Sequence, residues 1–405
     1  MKQSVTTIIF AVLLFQLLGS PLTDVKAQSE TCTASFQSVA IPLTELGNQE
    51  YVRMDGQETG FIGGLYPNGS NEPPPAHSSA GLQQSSLIQP LNINGQPDSQ
   101  AGKIVMISIG MSNTNAEFGS FMDFVNNDAQ INDRLLLVNG ALANQTSDRW
   151  VDPNAVAWQV LADRLDNLQV NPLQVQVAWI KLTQTGGGDF PEKAEALQTD
   201  LEIIVRNLKT AYPNVKIAYF SSRIYSYTYW NGLSPEPNAY ETGFAVRWLI
   251  EKQINGDVGL NFDPAQGDVV APFLLWGPYL WANGETPRQD GLTWLKADLT
   301  QDCTHPNESG KQKVANLIMD FFKSNPTTVG WFLSNNSSVD EYSLFLPFLK
   351  KDAPSLVIEN NATEVIQLYK EDMIGQLDQE KAKEKNTLLV NFVESILSWF
   401  KAWFK

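Results

Sequence analysis

Histidine is nearly missing from this chain: His77 and His305 are the only two among 405 residues. A site needing several imidazole ligands is thereby excluded, and any catalytic imidazole is one of these two. Cysteine is as scarce, with Cys32 and Cys303 alone, so a multi-cysteine metal centre cannot be built. Positive charge is in deficit too. Lys and Arg number 28 against 44 Asp and Glu, for a net charge of −16. Such a surface repels phosphate backbones and argues against a nucleic-acid partner. Beyond the N-terminus no apolar run approaches the roughly 20 residues that span a bilayer.

What the chain does have is ordinary core-forming material, 43% apolar and 18% charged, as in a globular protein. Its N-terminus sets the expected compartment. Lys2, the short apolar run Ile8 to Leu18 and the small-residue site Val25-Lys26-Ala27 read as a signal peptide over 1–27. Cleavage there leaves a chain of −17 beginning at Gln28, secreted or held in the periplasm or cell envelope. In that oxidising setting Cys32 and Cys303 either pair or stay as two thiols; sequence alone does not fix connectivity.

Residues 28–100 read as an irregular arm punctuated by Gly63-Gly64, Pro67-Asn68-Gly69 and Pro73-Pro74-Pro75. From 101 to 333 the pattern alternates. Lys103–Ile109, Leu135–Val138, Val175–Ile180 and Val215–Phe220 are short apolar runs suited to buried parallel strands. Helical periodicity lies near 115–128, 154–168, 191–212, 239–252 and 309–323. The last starts with Ser309-x-x-Gln312, which suits a capping box. This rhythm predicts an α/β domain with a mostly parallel sheet. Two long connections, 221–238 and 272–302, are dense in aromatic residues, Gly and Pro. Residues 334–405 form an extension whose Leu388–Phe404 stretch is amphipathic, within a segment 381–405 of five Lys and two Glu. It suits either peripheral membrane contact or docking on the body.

Two segments point to chemistry. Asp302-Cys303-Thr304-His305-Pro306 precedes the last helix; a carboxylate against one imidazole nitrogen fixes the tautomer and frees the other as a base. Gly110-Met111-Ser112 follows the first strand of the alternating region, at the strand end where open α/β sheets bind ligands. Backbone N–H groups of the helix that follows suit an oxyanion, whereas the plainer role for Ser112 is a helix cap.

Taken in order, the two segments resemble the SGNH (GDSL-type) hydrolases, and the likeness extends over roughly 36–333. Val138-Asn139-Gly140-Ala141 is similar to the block whose Gly donates an oxyanion N–H, and Trp179-Ile180-Lys181-Leu182 falls where that family has Gly-x-Asn-Asp. The arm around Gly63–Gly69 and the Ser221-Ser222-Arg223 stretch resemble a secreted bacterial subgroup. The resemblance implies a three-layer α/β/α flavodoxin-like fold with Ser112 as nucleophile, His305 as general base and acid, and Asp302 orienting it. It implies oxyanion donors at Ser112 and Gly140, with Lys181 standing where the family has Asn and Met111 where it has Asp. It implies no metal and no organic cofactor. Gln184, Arg223, Tyr225, Trp276 and Trp281 lie in connections near the strand ends and are the expected substrate contacts, flat rings suiting sugars. The expected activity is serine-based hydrolysis of an acyl or acetyl ester, small or on a glycan. Its rivals are a non-catalytic carbohydrate- or envelope-binding protein and a lipid esterase docked through 388–404.

Overall fold

The computed structural model describes residues 38–334. The signal segment 1–27, Cys32 and the amphipathic stretch 388–404 lie outside the described residues.

Residues 38–100 are more regular than their turn formers suggest. They hold an antiparallel pair, β1 (Glu50–Val52) and β2 (Glu58–Ile62), and a helix, α1 (Pro75–Ser86). Helix α1 is polar along its length and earns its place by docking: an added Cβ at its Gly81 would touch Phe273, and His77 Nε2 donates to Leu274 O at 2.9 Å. His77 is buried, and burial lowers its pKa to about 4.

The body then alternates as β3 (Ile104–Gly110), α2 (Ser112–Asn126), β4 (Leu135–Val138), α3 (Val156–Asn167) and β5 (Val175–Lys181). It continues with α4 (Glu192–Ala211), β6 (Ile217–Phe220), α5 (Asn238–Ile254), β7 (Phe273–Trp276) and α6 (Glu308–Ser324). Strands β3 to β7 form one parallel sheet in the order β4-β3-β5-β6-β7. Strands β3 and β5 are buried at every position, as expected of strands covered on both faces. Helix α2 packs on α6, and α4 on α5. Right-handed crossovers put these pairs on opposite faces, giving the three-layer, flavodoxin-like arrangement. No helix among the described residues is long and apolar enough to cross a membrane.

Strand β7 falls inside an expected connection, and the cap of α6 is shifted. Asn307, not Ser309, is its N-cap, with Oδ1 accepting from Gly310 N at 3.2 Å. Because the order reverses at β3, the connections leaving the carboxyl ends of the adjacent strands β3 and β5 run to opposite sides, the usual ligand position in such sheets. Ser112 stands two residues past the end of β3.

Candidate active site

The turn from β3 into α2 is tight. A Cβ on Gly110 would lie 2.3 Å from Thr114 Oγ1, so glycine lets the helix start directly over the strand, and Thr114 then donates to Lys181 O at 2.7 Å. Helix α2 is fixed by a buried stripe of Thr114, Glu117, Phe118, Phe121 and Val125, spaced three and four apart. Ser112 is its first residue rather than its cap, and the capping position, Met111, supplies no side-chain bond. The serine hydroxyl is directed elsewhere: Ser112 Oγ lies 2.6 Å from His305 Nε2.

On the far side of that ring, His305 Nδ1 lies 2.5 Å from Asp302 Oδ2. Asp302 Oδ1 accepts from Thr300 Oγ1, Thr304 N and His305 N at 2.7, 3.0 and 2.9 Å. Partial burial pushes this carboxyl up, but those hydrogen bonds outweigh it and hold the pKa at about 2. An ionised carboxylate only accepts, so Nδ1 bears the imidazole proton and Nε2 is the acceptor for the Ser112 hydroxyl. The nearby Asp298 is taken up by Leu295 N, Ser309 Oγ and Lys313 Nζ. Cys303, between Asp302 and Thr304, is disulfide-bonded and has φ of 65°; the other cysteine of the sequence, Cys32, lies outside the described residues.

The oxyanion donors expected at Gly140 and Lys181 are engaged elsewhere. Gly140 N donates to Ser108 Oγ at 3.1 Å, and that hydroxyl in turn donates to Asn139 Oδ1 at 2.9 Å. Lys181 points into the interior between sheet and α2, where Nζ reaches Glu117 Oε1 and Oε2 at 2.6 and 2.5 Å with both side chains fully buried. Burial lowers the Lys181 pKa, Glu117 opposes that, and the nearby Arg223 charge reinforces it. What remains at Ser112 is its own N–H, which as the first in the helix has no intrahelical acceptor.

The expected substrate contacts are mostly interior. Trp276 Nε1 donates to Leu65 O at 2.6 Å, and Trp281 Nε1 to Glu236 Oε1 at 2.9 Å. Tyr225 is buried edge-on against Tyr227. Gln184 Nε2 is held by Asp200 Oδ2 at 2.8 Å. Arg223 is 2% exposed, and its Nε and Nη1 meet no acceptor among the described residues. Burial pushes Arg223 down, while Glu117 and Glu236 pull it back up. Burial also raises Glu236 to about 8, against hydrogen bonds from Trp281, Ser226 and Tyr240. Most of these groups are buried, as aromatic-rich connections normally hide their rings.

Two contributors escaped the sequence reading. Asn113 Nδ2 donates to Thr304 O at 3.0 Å, and Glu117 is the counter-ion of Lys181. The signal for Glu117 was a carboxylate on the apolar stripe of α2; Asn113 gave none. Among the described residues no group of three or more His, Cys, Asp and Glu is placed to hold a metal.

No protein-family model matches this chain, and no curated protein does. Among solved structures, it is similar to the periplasmic domain of a lipopolysaccharide acetyltransferase from Salmonella ser. Paratyphi A. That match has 14% identity over 60% of this chain and 94% of the other, with a TM-score of 0.32. A carbohydrate esterase family 3 protein from Talaromyces cellulolyticus matches at 13% identity over 53% and 94%, TM-score 0.30. A protein from Arabidopsis thaliana matches at 11% identity over 51% and 66%, TM-score 0.28.

Proposed function

We propose that this protein is a serine-based hydrolase of acyl or acetyl esters, working outside the cytoplasm with residues 1–27 as its export signal. One observation supports the chemistry above all: the unbroken series of contacts from Ser112 Oγ to His305 Nε2 at 2.6 Å and from Nδ1 to Asp302 Oδ2 at 2.5 Å. In the proposed reaction Ser112 Oγ bonds to the ester carbonyl carbon while His305 Nε2 takes its proton. The carbonyl electron pair moves onto oxygen, facing the N-terminus of α2 and the Ser112 N–H. Collapse breaks the carbon–alkoxy bond, and His305 returns the proton to the departing alcohol. Water, deprotonated by His305, then releases the acid from Ser112. Asp302 keeps the imidazole in the required tautomer and stabilises its charged form.

The test is hydrolysis of p-nitrophenyl acetate by the full chain and by Ser112→Ala, with fluorophosphonate labelling of both. Loss of turnover and label in the variant supports the reading; equal turnover in both, with no label on Ser112, overturns it. A second reading is a non-catalytic glycan- or envelope-binding protein. It is favoured by Gly140 N–H and Lys181 Nζ being bound to Ser108 and Glu117, since a missing oxyanion donor costs about 10²–10³ in rate.

A further inference from the structure

Trp230 is built unlike the other large rings of this region. Tyr225, Trp276, Trp281 and Trp294 are buried, whereas Trp230 is 39% exposed. Its backbone sits at φ 61°, a left-handed conformation that bulky residues rarely adopt and that persists only where the surroundings enforce it. Three contacts enforce it. Trp230 N donates to Glu236 O at 2.8 Å, and Trp230 O accepts from Gly187 N at 3.1 Å. A Cβ on Gly187 would lie 2.6 Å from that carbonyl, so the Gly186–Gly188 loop approaches closely because it has no side chains. Finally, the Arg53 guanidinium lies 5.6 Å from the centre of the indole. Arg53 is itself buried and clamped by Glu241 Oε1 at 2.7 Å and Gly188 O at 3.0 Å. The ring is thus backed by a fixed cation and flanked by Tyr229, 6.3 Å away between ring centres, and stays 39% exposed.

The place of this ring is as telling as its build. Gly187 follows β5 and Trp230 follows β6, so both lie at the carboxyl edge of the sheet, as Ser112 does after β3. The loop bearing Trp230 also touches the His305 segment, through Tyr227 N to Cys303 O at 3.0 Å and Ser226 Oγ to Thr304 Oγ1 at 3.3 Å. Exposed Asp55 lies two residues beyond Arg53, and exposed Asp189 directly follows the 186–188 loop that meets Trp230 O. A single ring is far too small for a protein interface, and the acidic chain disfavours phosphate-bearing surfaces. A part-exposed indole on segments that also carry exposed carboxylates matches a neutral sugar ring, with C–H groups on one face and hydroxyls at its rim.

We propose that Trp230 is a sugar-stacking subsite that binds a neutral oligosaccharide along the edge leading to Ser112. It deepens the esterase reading by making the substrate an esterified neutral glycan. The test separates the two, because binding is measured without turnover. Full-length Ser112→Ala is titrated calorimetrically with unesterified xylohexaose, cellohexaose and chitohexaose, alongside the double variants Ser112→Ala/Trp230→Gly and Ser112→Ala/Trp230→Phe. Glycine accepts the left-handed backbone, so the first double variant removes the ring and keeps the turn; unchanged circular dichroism checks this. The expected result is binding of at least one oligosaccharide, weakened about tenfold or more by Trp230→Gly and largely kept by Trp230→Phe. No binding of any of the three, or equal binding with and without the ring, overturns the proposal. Ring-dependent binding by a protein that fails the ester test identifies a glycan-binding protein. Ester turnover without oligosaccharide binding leaves the hydrolase and removes the subsite.

Discussion

Asn113 Nδ2 donates to Thr304 O at 3.0 Å, so the residue after Ser112 is tied to the residue before His305. The bond is buried and joins the two segments immediately beside the serine–histidine contact. It sets how far apart the hydroxyl and the imidazole stand.

Asn113→Ala is therefore expected to lower kcat on a small ester by roughly 10–10²-fold with KM little changed, since small displacements of reacting groups are expensive. Asn113→Asp sets a carboxylate against a carbonyl oxygen and is expected to be worse than alanine. Steady-state kinetics of both variants decide; a change confined to KM contradicts the tether.

Asp302→Asn preserves shape but lets the amide present NH₂ to His305 and stabilise the wrong tautomer. A fall in kcat of about 10³–10⁴ is expected, with thermal stability close to the parent's because Asp302 is nearly half exposed. Retention of near-parental kcat would remove Asp302 from the proposed mechanism.

The fully buried Lys181–Glu117 pair carries a different expectation. Replacing only one partner, as in Lys181→Met or Glu117→Leu, strands the other charge and is expected to cost about 3–5 kcal/mol in urea unfolding. The double variant should recover part of that loss, because it removes both partners while taking the Glu117 charge away from buried Arg223. Additive losses would mean that each side chain is held by something other than its partner.

His77 makes stability sensitive to acid. Its folded pKa of about 4 lies below the unfolded 6.5, so between those values the unfolded chain binds the proton more readily. Stability is then unaffected by His77 above pH 6.5 and falls as pH drops from 6.5 to 4, by about 3 kcal/mol in all. His77→Gln keeps a donor for Leu274 O without the titration. Urea unfolding at about pH 7 and about pH 4.5, on either side of most of that transition, should show a smaller acid loss in the variant.

The sheet was legible in the sequence where short apolar runs holding Val or Ile mark it, from β3 to β6. Strand β7 escaped because Phe273-Leu274-Leu275-Trp276 lies among other aromatic residues with no Val or Ile to distinguish it. Helix α1 escaped because its Ser and Gln residues make no apolar stripe and docking alone holds it. In the candidate site, the contacts of Ser112, His305 and Asp302 were foreshadowed by their local spacing relative to strand and helix. The oxyanion donors were not. The direction of Gly140 N–H depends on Ser108, 32 residues away, and that of Lys181 on Glu117, 64 away. Likewise, which rings face solvent depends on how the loops fold over one another: Trp281 found Glu236, while Trp230 was left at the surface.

Ser112 and His305 lie 193 residues apart, on elements that open and close the alternating body. Their contact exists only once α2 and α6 lie side by side, after every strand between them has taken its place. On the proposed mechanism, a growing chain that has made α2 but not α6 therefore holds Ser112 with no imidazole beside it. On that mechanism, ester turnover during refolding is expected to begin only when the body is complete.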